Sequence, residues 1–569
     1  GTRALNGGRH KTDWTLLSQS SWQDFAFTEF VAGLCFQGCS CHDIIPYIIL
    51  SLAILAVFLS IYASTFIRKK TTKMSVISAR LEMTEYWVEH SQDASLEEMM
   101  LDTQAEEVNR LELPEILSYL PPYDGYKILE LGSGIGRFTG KLAEHGKEVV
   151  AVDFMEKFVE KNKEVNGHHK NITFMCADVT KLELEEKSFD LIFSNWLMMY
   201  LEDEEVQVLL KKQLSWLKEG GYLFARESCN HQSGDRKRTK NPTKYRDPHL
   251  YDAFFAATTM PSAEENKCCG FDLVLNRPSQ TYVKLKHNRN QVIWLFQKNL
   301  RTNANNHGYK TLQEFLDNHQ YSEKGILRYE KIYGPTFVST GGQDTTKEFV
   351  SRLDLKKDQL VLDVGCGIGG SAFYMAKEFG VKVVGIDLST NMVNIGLKRA
   401  KDIAVSEEQV QFEIADVTKR DYAPAMFDVV YSRDTILHIP EKLMLFKRFF
   451  KWLKPGGKLL ISDYCCSPGE HSDQFKAYVK QRGYTLLSPV QYGNVLKEAG
   501  FCNIQADDQT DLFVACLQKE LERITSIREE FIKELSLDDY DYLVTGWKDK
   551  VERSGQGDQR WGVFYAEKP

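Results

Sequence analysis

Short apolar runs rich in branched residues recur along this chain, and each is followed by a stretch with helical spacing. ILEL (128–131) ends at a cluster of glycines, after which RFTGKLAEHG (137–146) reads as a helix. LVLDV (360–364) also ends at glycines, and SAFYMAKEFG (371–380) repeats the helical pattern. Such alternation predicts an α/β chain whose mostly parallel sheets carry helices on both faces. One stretch breaks the rhythm. Ile44 to Ile67 contains no charged residue and runs directly into Arg68, Lys69 and Lys70. Its length suits a bilayer-spanning helix, and the basic flank places the C-terminal side in the cytosol. Pro46 sits near the start, where a helix tolerates it. A buried helix or a signal-type segment are the competing readings.

The pattern is written twice. KILELGSGIGRF (127–138) answers to LVLDVGCGIGGS (360–371), and VVAVDF (149–154) to VVGIDL (383–388). MCADVT (175–180) pairs with EIADVT (413–418), and WLKEGGYLFARES (216–228) with WLKPGGKLLISDY (452–464). Four blocks in one order mark an internal duplication. The expected organisation is a lead over 1–43, the candidate span over 44–67 and a linker over 68–81. A first domain over 82–298 then joins, through a polar, pattern-free linker over 299–310, a second domain over 311–569.

Composition narrows the function. The 569 residues exceed one ordinary core, and 43% apolar with 26% charged residues is a globular mixture. A formal net charge of −8 argues against a nucleic-acid binder. Twelve scattered cysteines, without paired CxxC units, point to a reducing compartment. Cys35, Cys39, Cys41 and His42 read as membrane-adjacent thiols rather than a metal site.

Glycines after a first strand let backbone approach a ligand, and by themselves suggest a phosphate or a dinucleotide. The acids point elsewhere. Glu130 and Asp363 stand just before Gly132, Gly134 and Gly365, Gly367, where a carboxylate repels a pyrophosphate and attracts a sulfonium amino acid. Asp153 and Asp387 close the next strand, placed to accept ribose hydroxyls. Asp178 and Asp416, in ADVT, can accept from an adenine amino group. This twofold set resembles the class I S-adenosylmethionine (SAM) methyltransferases, which implies two tandem Rossmann-like domains and SAM as the methyl donor.

Further strings sharpen the resemblance. They are FLDNHQYSEKGILRYEKIYGPTFVSTGG (315–342), YSRDTILHI (431–439), FKAYVKQRGYTLLS (475–488), GWKDK (546–550) and QRWGVFYA (559–566). With RLELPEILSYLPPY, FSNWLMMYL and RESCNHQSGD in the first copy, they closely resemble the tandem, plant-type phosphoethanolamine N-methyltransferases from about Tyr86 onward. The resemblance implies stepwise N-methylation of phosphoethanolamine to phosphocholine, which feeds phosphatidylcholine synthesis. It also implies a base, His438, paired with Tyr321, because a protonated amine has no lone pair to offer. Tyr464, Tyr478, Arg482, Tyr484 and Lys550 match phosphobase positions; Gln320, Tyr329, Ser339 and Asp434 match the amine end. Asn195, Val338 and Arg433 join the donor set.

The first copy carries Trp196 for Asp434 and Tyr200 for His438, so its base must differ. Tyr86, His90, Tyr245 and Arg246 are the candidates to supply the missing polar groups, and the loop Asp235–Lys240 reads mainly as a solvated charged segment. The expected division assigns the first methylation to the first domain and later ones to the second. A lipid (phosphatidylethanolamine) methyltransferase and a SAM-binding scaffold with one inactive domain are the rival readings. Methyl transfer from a sulfonium needs no Lewis acid, so no metal is expected; the catalytic region is expected to be monomeric and cytosolic, with a single N-terminal anchor.

Overall fold

The computed structural model describes residues 80–236, 241–264, 266–302, 309 and 311–569. The candidate span Ile44–Ile67, its lead, basic flank and cysteine cluster lie outside the described residues, as do 237–240 of the charged loop. Among the described residues no helix is long and apolar enough to cross a membrane. The chain divides into two compact units, Gly1–Thr84 and Glu85–Pro569. Only 80–84, a helical segment, is described in the former, and both repeats belong to the latter.

The first repeat contributes β1 (Lys127–Leu131), β2 (Glu148–Asp153), β3 (Ile172–Cys176), β4 (Phe189–Asn195) and β5 (Leu217–Ser228). Short β6 (Thr259–Pro261) and the long hairpin β7 (Lys267–Pro278) and β8 (Gln291–Thr302) complete it. The order is β3-β2-β1-β4-β5-β8-β7, parallel through β5 and then antiparallel. The second repeat has β9 (Leu360–Val364), β10 (Lys382–Asp387), β11 (Val410–Ala415), β12 (Phe427–Arg433) and β13 (Leu453–Cys466), then β14 (Cys502–Asp508) and β15 (Gln559–Glu567). Its order, β11-β10-β9-β12-β13-β15-β14, is the same topology. In both, chain order reverses beside the first strand, and the crevice at the carboxyl ends of the strands there is where such sheets bind ligands.

Local chemistry sets the helix ends around that crevice. The Ser389 side chain accepts the Met392 N–H (3.2 Å) to open Thr390–Asp402. Gly380, at φ +66°, closes Gly370–Phe379 in the left-handed conformation that glycine adopts without penalty. The central strands are buried on both faces, so they read as apolar runs rather than alternations. Trp216 and Trp294 anchor the first core, Trp452 and Trp561 the second, and all four are fully buried.

The two sheets are continuous. β11 pairs antiparallel with β7, Ile414 opposite Asn276 and Ala415 opposite Leu275. Beside this junction the Glu413 carboxylate pairs with Arg277 of the first repeat and Arg420 of the second, and accepts the Tyr422 hydroxyl at 2.9 Å. Burial opposes ionisation of Glu413, but the two guanidiniums outweigh it and hold its pKa below the usual carboxylate range.

One boundary differs from the expectation. Asn299–Thr302, assigned to the linker from their polarity, extend β8, with Asn299 opposite Gly270. The extension is held by Arg301, which pairs with Asp272 at 2.6 Å, so its pairing leaves no apolar signature. The pattern-free segment therefore begins after Thr302.

Replacing Glu413 by Ala leaves Arg277 and Arg420 buried without their shared carboxylate. The expected loss is about 3–5 kcal/mol, read as a lower urea midpoint with an unchanged slope.

Candidate active site

A cavity of about 280 Å³ lies over the carboxyl ends of β9 and β10. Asp363, Gly365, Gly367, Asp387, Asp416, Arg433 and Val338 all line it. Gly365 has φ +69°, and a Cβ there would fall 2.0 Å from the Thr435 hydroxyl oxygen; one on Gly367 would fall 2.7 Å from Val338. The loop is thus glycine because the chain doubles back against its own walls. The Asp387 carboxylate accepts the N–H of Gly367 (3.0 Å) and of Ser389 (2.9 Å), while burial pushes its pKa up to about 6. Asp363 is 2% exposed, and its Oδ2 has no hydrogen-bond partner. Burial raises it to about 7 against the pull of Arg433. A buried acid with an unpartnered oxygen, beside a loop that only backbone can occupy, suits a ligand carrying a cationic amino group. Arg433 is committed to the carbonyl oxygens of Thr340 and Gly342 and the hydroxyls of Thr345 and Thr346, so it braces the stretch that follows the lining residues Thr336–Ser339.

A second cavity, about 620 Å³, shares a wall with the first. Tyr321, Val338, Ser339, Asp434 and His438 line both. His438 ends the 3₁₀ turn Ile436–His438, with Nε2 3.5 Å from the Tyr321 hydroxyl and its ring edge-on to Tyr484 at 5.1 Å. The turn is clamped from behind. Asp463 accepts the Leu437 N–H (3.1 Å), and Lys442 Nζ donates to the carbonyl oxygens of Ile436 (2.8 Å) and Ile439 (2.9 Å). Burial, with Arg482 and Lys442 adding, lowers the His438 pKa to about 4, so the imidazole is neutral at pH 7. Asp434 takes a left-handed backbone, φ +49°; its Oδ1 accepts from the Trp561 indole (2.8 Å) and the Ser462 hydroxyl (3.2 Å).

The far end gathers Tyr329, Tyr464, Tyr478, Arg482, Tyr484 and Lys550. Gln320 lines the near end, with its buried Oε1 unpartnered. Burial lowers the Lys550 pKa to about 8, with Arg482 and Arg553 adding and Glu520 opposing. Among the lining residues that escaped the sequence reading, two stand beside Lys550. Trp547, whose ring lies 4.0 Å from Lys550 Nζ, and Arg553, 3.8 Å from the Tyr478 ring, sit three residues either side of Lys550 on the helix Leu537–Gly555. That spacing shares one helical face and is the signal that would have found them.

The first repeat keeps the donor-side pattern. Glu130, raised by burial to about 8, accepts the Thr139 hydroxyl at 2.6 Å. Asp153 accepts the N–H of Gly134 (2.8 Å), and Asp178 that of Thr180 (3.0 Å). Gly132 and Gly134 have φ +71° and +53°. Asn195 Oδ1 accepts from Arg226 at 3.1 Å. The acceptor side is rebuilt. Trp196 keeps the left-handed backbone of its counterpart Asp434, at φ +53°, but its ring packs 4.0 Å from the Arg226 guanidinium. Buried Glu112 pairs with both Arg226 and Arg137. Tyr200 meets Trp87 edge-on at 5.2 Å, Tyr86 packs on His90 at 4.5 Å, and His90 Nδ1 lies 2.8 Å from Glu98. The Tyr245 hydroxyl accepts from Asn241 at 2.8 Å.

Arg246, expected among the polar groups of this site, instead donates to the carbonyl oxygens of Met198 and Leu201 and pairs with Asp203. Glu227 accepts the N–H of Met198 (2.8 Å) and Met199 (3.1 Å). Arg246 and Glu227 thus clamp the Tyr200 turn as Lys442 and Asp463 clamp that of His438. In the charged loop, Asp235 accepts the Thr103 N–H (2.8 Å) and Arg236 pairs with Glu97, both contacts within the protein.

The strand order, the glycine loops and the buried acids define a methyltransferase fold duplicated in one chain. Two sequence profiles, each described as a methyltransferase domain, match residues 128–221 and 355–523. Phosphoethanolamine N-methyltransferase 1 of Arabidopsis thaliana is 52% identical over 494 residues, covering 85% of this chain and 97% of that protein. The phosphoethanolamine N-methyltransferase of Plasmodium falciparum is 38% identical over 257 residues, 45% of this chain and 95% of that protein. Haemonchus contortus phosphoethanolamine N-methyltransferase 2, solved with phosphomonomethylethanolamine and S-adenosylhomocysteine, superposes with a TM-score of 0.63 at 28% identity, covering 81% of this chain and 99% of that one. The chain belongs to the phosphoethanolamine N-methyltransferases.

Cations beside an imidazole favour its neutral form, so removing one raises its pKa. The His438 ring should titrate near pH 4 by NMR in the free protein, and Arg482→Met should move that titration upward, toward the ordinary histidine value.

Proposed function

We propose that this chain N-methylates phosphoethanolamine, and then its mono- and dimethyl forms, to phosphocholine, with SAM as donor. The single observation behind this reading is the wall shared by two cavities, one lined by acids and the other by cations and phenols. The donor, when bound, supplies an electrophilic methyl group on a sulfonium sulfur. Asp363 and Glu130 meet its amino group, Asp387 and Asp153 its ribose, and Asp416 and Asp178 its adenine. Arg482 and Lys550 carry the charge that holds a phosphate, while Tyr464, Tyr478 and Tyr484 add donors without further charge. Asp434 holds the ammonium end, with Gln320 and Ser339 near it, while Tyr329, matched to that end by resemblance, stands with the phenols beside Arg482.

The proton on nitrogen passes to the His438 imidazole, whose ring Tyr321 orients through Nε2. A base with a pKa near 4 is too weak at neutral pH, and the substrate itself corrects this. A bound phosphate dianion offsets Arg482, one of the groups that depress His438, so the base strengthens once its substrate is seated. The first domain, with an aromatic and arginine-lined slot in place of Asp434 and His438, performs the first methylation, and the second performs the later ones. In this scheme a single chain carries both sites. The nine cysteines described as free fit a reducing, cytosolic setting for the catalytic domains, which the basic-flanked stretch 44–67 would tether to a membrane.

His438→Ala should lower conversion of the dimethylated substrate by roughly 10²–10⁴-fold while the first methylation persists; equal loss of both steps would rule out the two-site scheme. Turnover of labelled SAM is expected with soluble phosphoethanolamine. Turnover only with phosphatidylethanolamine vesicles would instead make the enzyme a lipid methyltransferase, and SAM binding without phosphocholine would make it a scaffold.

A further inference from the structure

The two ADVTK turns are identical in sequence, yet the structure treats their lysines differently. In the first repeat Lys181 Nζ lies 3.2 Å from Asp178, and its side chain is 83% exposed. In the second, Lys419 is 26% exposed and bridges two carboxylates, Asp416 at 3.0 Å and Asp272 at 3.2 Å. Asp416 lines the second domain's donor cavity. Asp272 does not belong to that domain; it lies on β7 of the first.

The remaining contacts hold the same turn. The Asp416 N–H reaches the Val274 carbonyl oxygen on β7 (3.3 Å), and Ala415 is in register with Leu275. Asp416 Oδ1 accepts from the Thr418 N–H (2.9 Å) and hydroxyl (2.6 Å), which leaves Oδ2 to be fixed by Lys419. Asp272 is itself fixed, accepting from Arg301 and from Asn299 at 2.9 Å. Lys419 and Arg301 keep its pKa low although burial opposes them. A chain of alternating charges therefore runs from the β7–β8 hairpin of the first domain to an acid in the donor cavity of the second. In the first domain's own donor turn the lysine instead projects into solvent beside Asp178.

We infer that Asp272 of the first domain is a positioning residue for donor binding in the second, acting through Lys419 to hold the Asp416 carboxylate toward the donor's adenine. The coupling is one-way: the first domain can act without it, whereas the later methylations depend on the junction being intact. This rests on the reading that the second cavity binds SAM and serves the later steps.

The test uses the full chain and follows SAM dependence separately with phosphoethanolamine and with the dimethylated substrate. Asp272→Asn should raise the KM for SAM about three- to tenfold in the dimethyl reaction with little change in kcat. The phosphoethanolamine reaction should keep its KM. Lys419→Met should do the same, and the double variant should be no worse than Lys419→Met alone, because both changes break one link. Lys181→Met should leave the dimethyl reaction unaffected. Asp416→Asn serves as the control for the underlying reading. If it raises the dimethyl KM for SAM while Asp272→Asn does not, the inference fails and the reading stands. If neither changes that KM, the reading fails and the inference with it. Equal losses in both reactions, or a matching drop in thermal midpoint with kcat falling and KM constant, would mark Asp272 as merely structural and overturn the proposal.

Discussion

Asp363 lies almost wholly buried with one oxygen unpartnered, and His438, in the wall that the two cavities share, has its charged form opposed by burial and by Arg482 and Lys442. Both are held in the less charged of their two states by burial, which penalises the ionised form whatever its sign. The cavities are therefore built out of balance. The donor side has surplus acid, suited to a cation, and the acceptor side has surplus base at one end and an anion, Asp434, at the other. On the proposed reading, that imbalance is relieved when both ligands are bound. The fold can hold such groups because the strands beneath them are buried on both faces and leave the crest rigid.

The duplication shows which parts of this arrangement are scaffold and which are choice. Each repeat clamps its post-β4-type turn with an acid on the next strand and a cation capping the turn's carbonyl oxygens. The pairs are Glu227 with Arg246 and Asp463 with Lys442. Trp196 and Asp434 keep the same left-handed backbone, a conformation that non-glycine residues rarely hold without support. What changes is the chemistry presented on that constant frame. In the second repeat it is a carboxylate and an imidazole. In the first it is an indole against a guanidinium, with Glu112 between two arginines. A frame kept while the presented groups change fits the proposal of two sites that handle differently methylated amines.

The junction between β7 and β11 makes the two repeats one body in energetic terms. Arg277, Glu413, Arg420 and Tyr422 form a buried polar cluster in which no single member can be withdrawn cheaply. The Lys419 bridge sits on the same seam, so a structural necessity, covering the edges of two sheets, lies within a few ångströms of a donor-cavity acid.

Much was legible in the linear text. The twin glycine loops, the acids around them and the alternation of apolar runs with helices are short-range patterns, and they predicted the duplicated fold and the acids that line the first cavity. His438 and Tyr321, 117 positions apart, were legible only through resemblance; their 3.5 Å approach is a product of tertiary structure. Arg246, offered as one of the polar groups that could serve the first site, has carbonyl oxygens for its neighbours in space. The polar end of β8 was misread because Arg301 and Asp272, rather than apolar side chains, hold it. The sequence alone determined what each segment would become and which chemistry it carried. Only the tertiary structure decided which charges are dehydrated, which carboxylates are already spoken for, and that a residue of one repeat steadies an acid in the other, because pKa and pairing depend on neighbours in space and not along the chain.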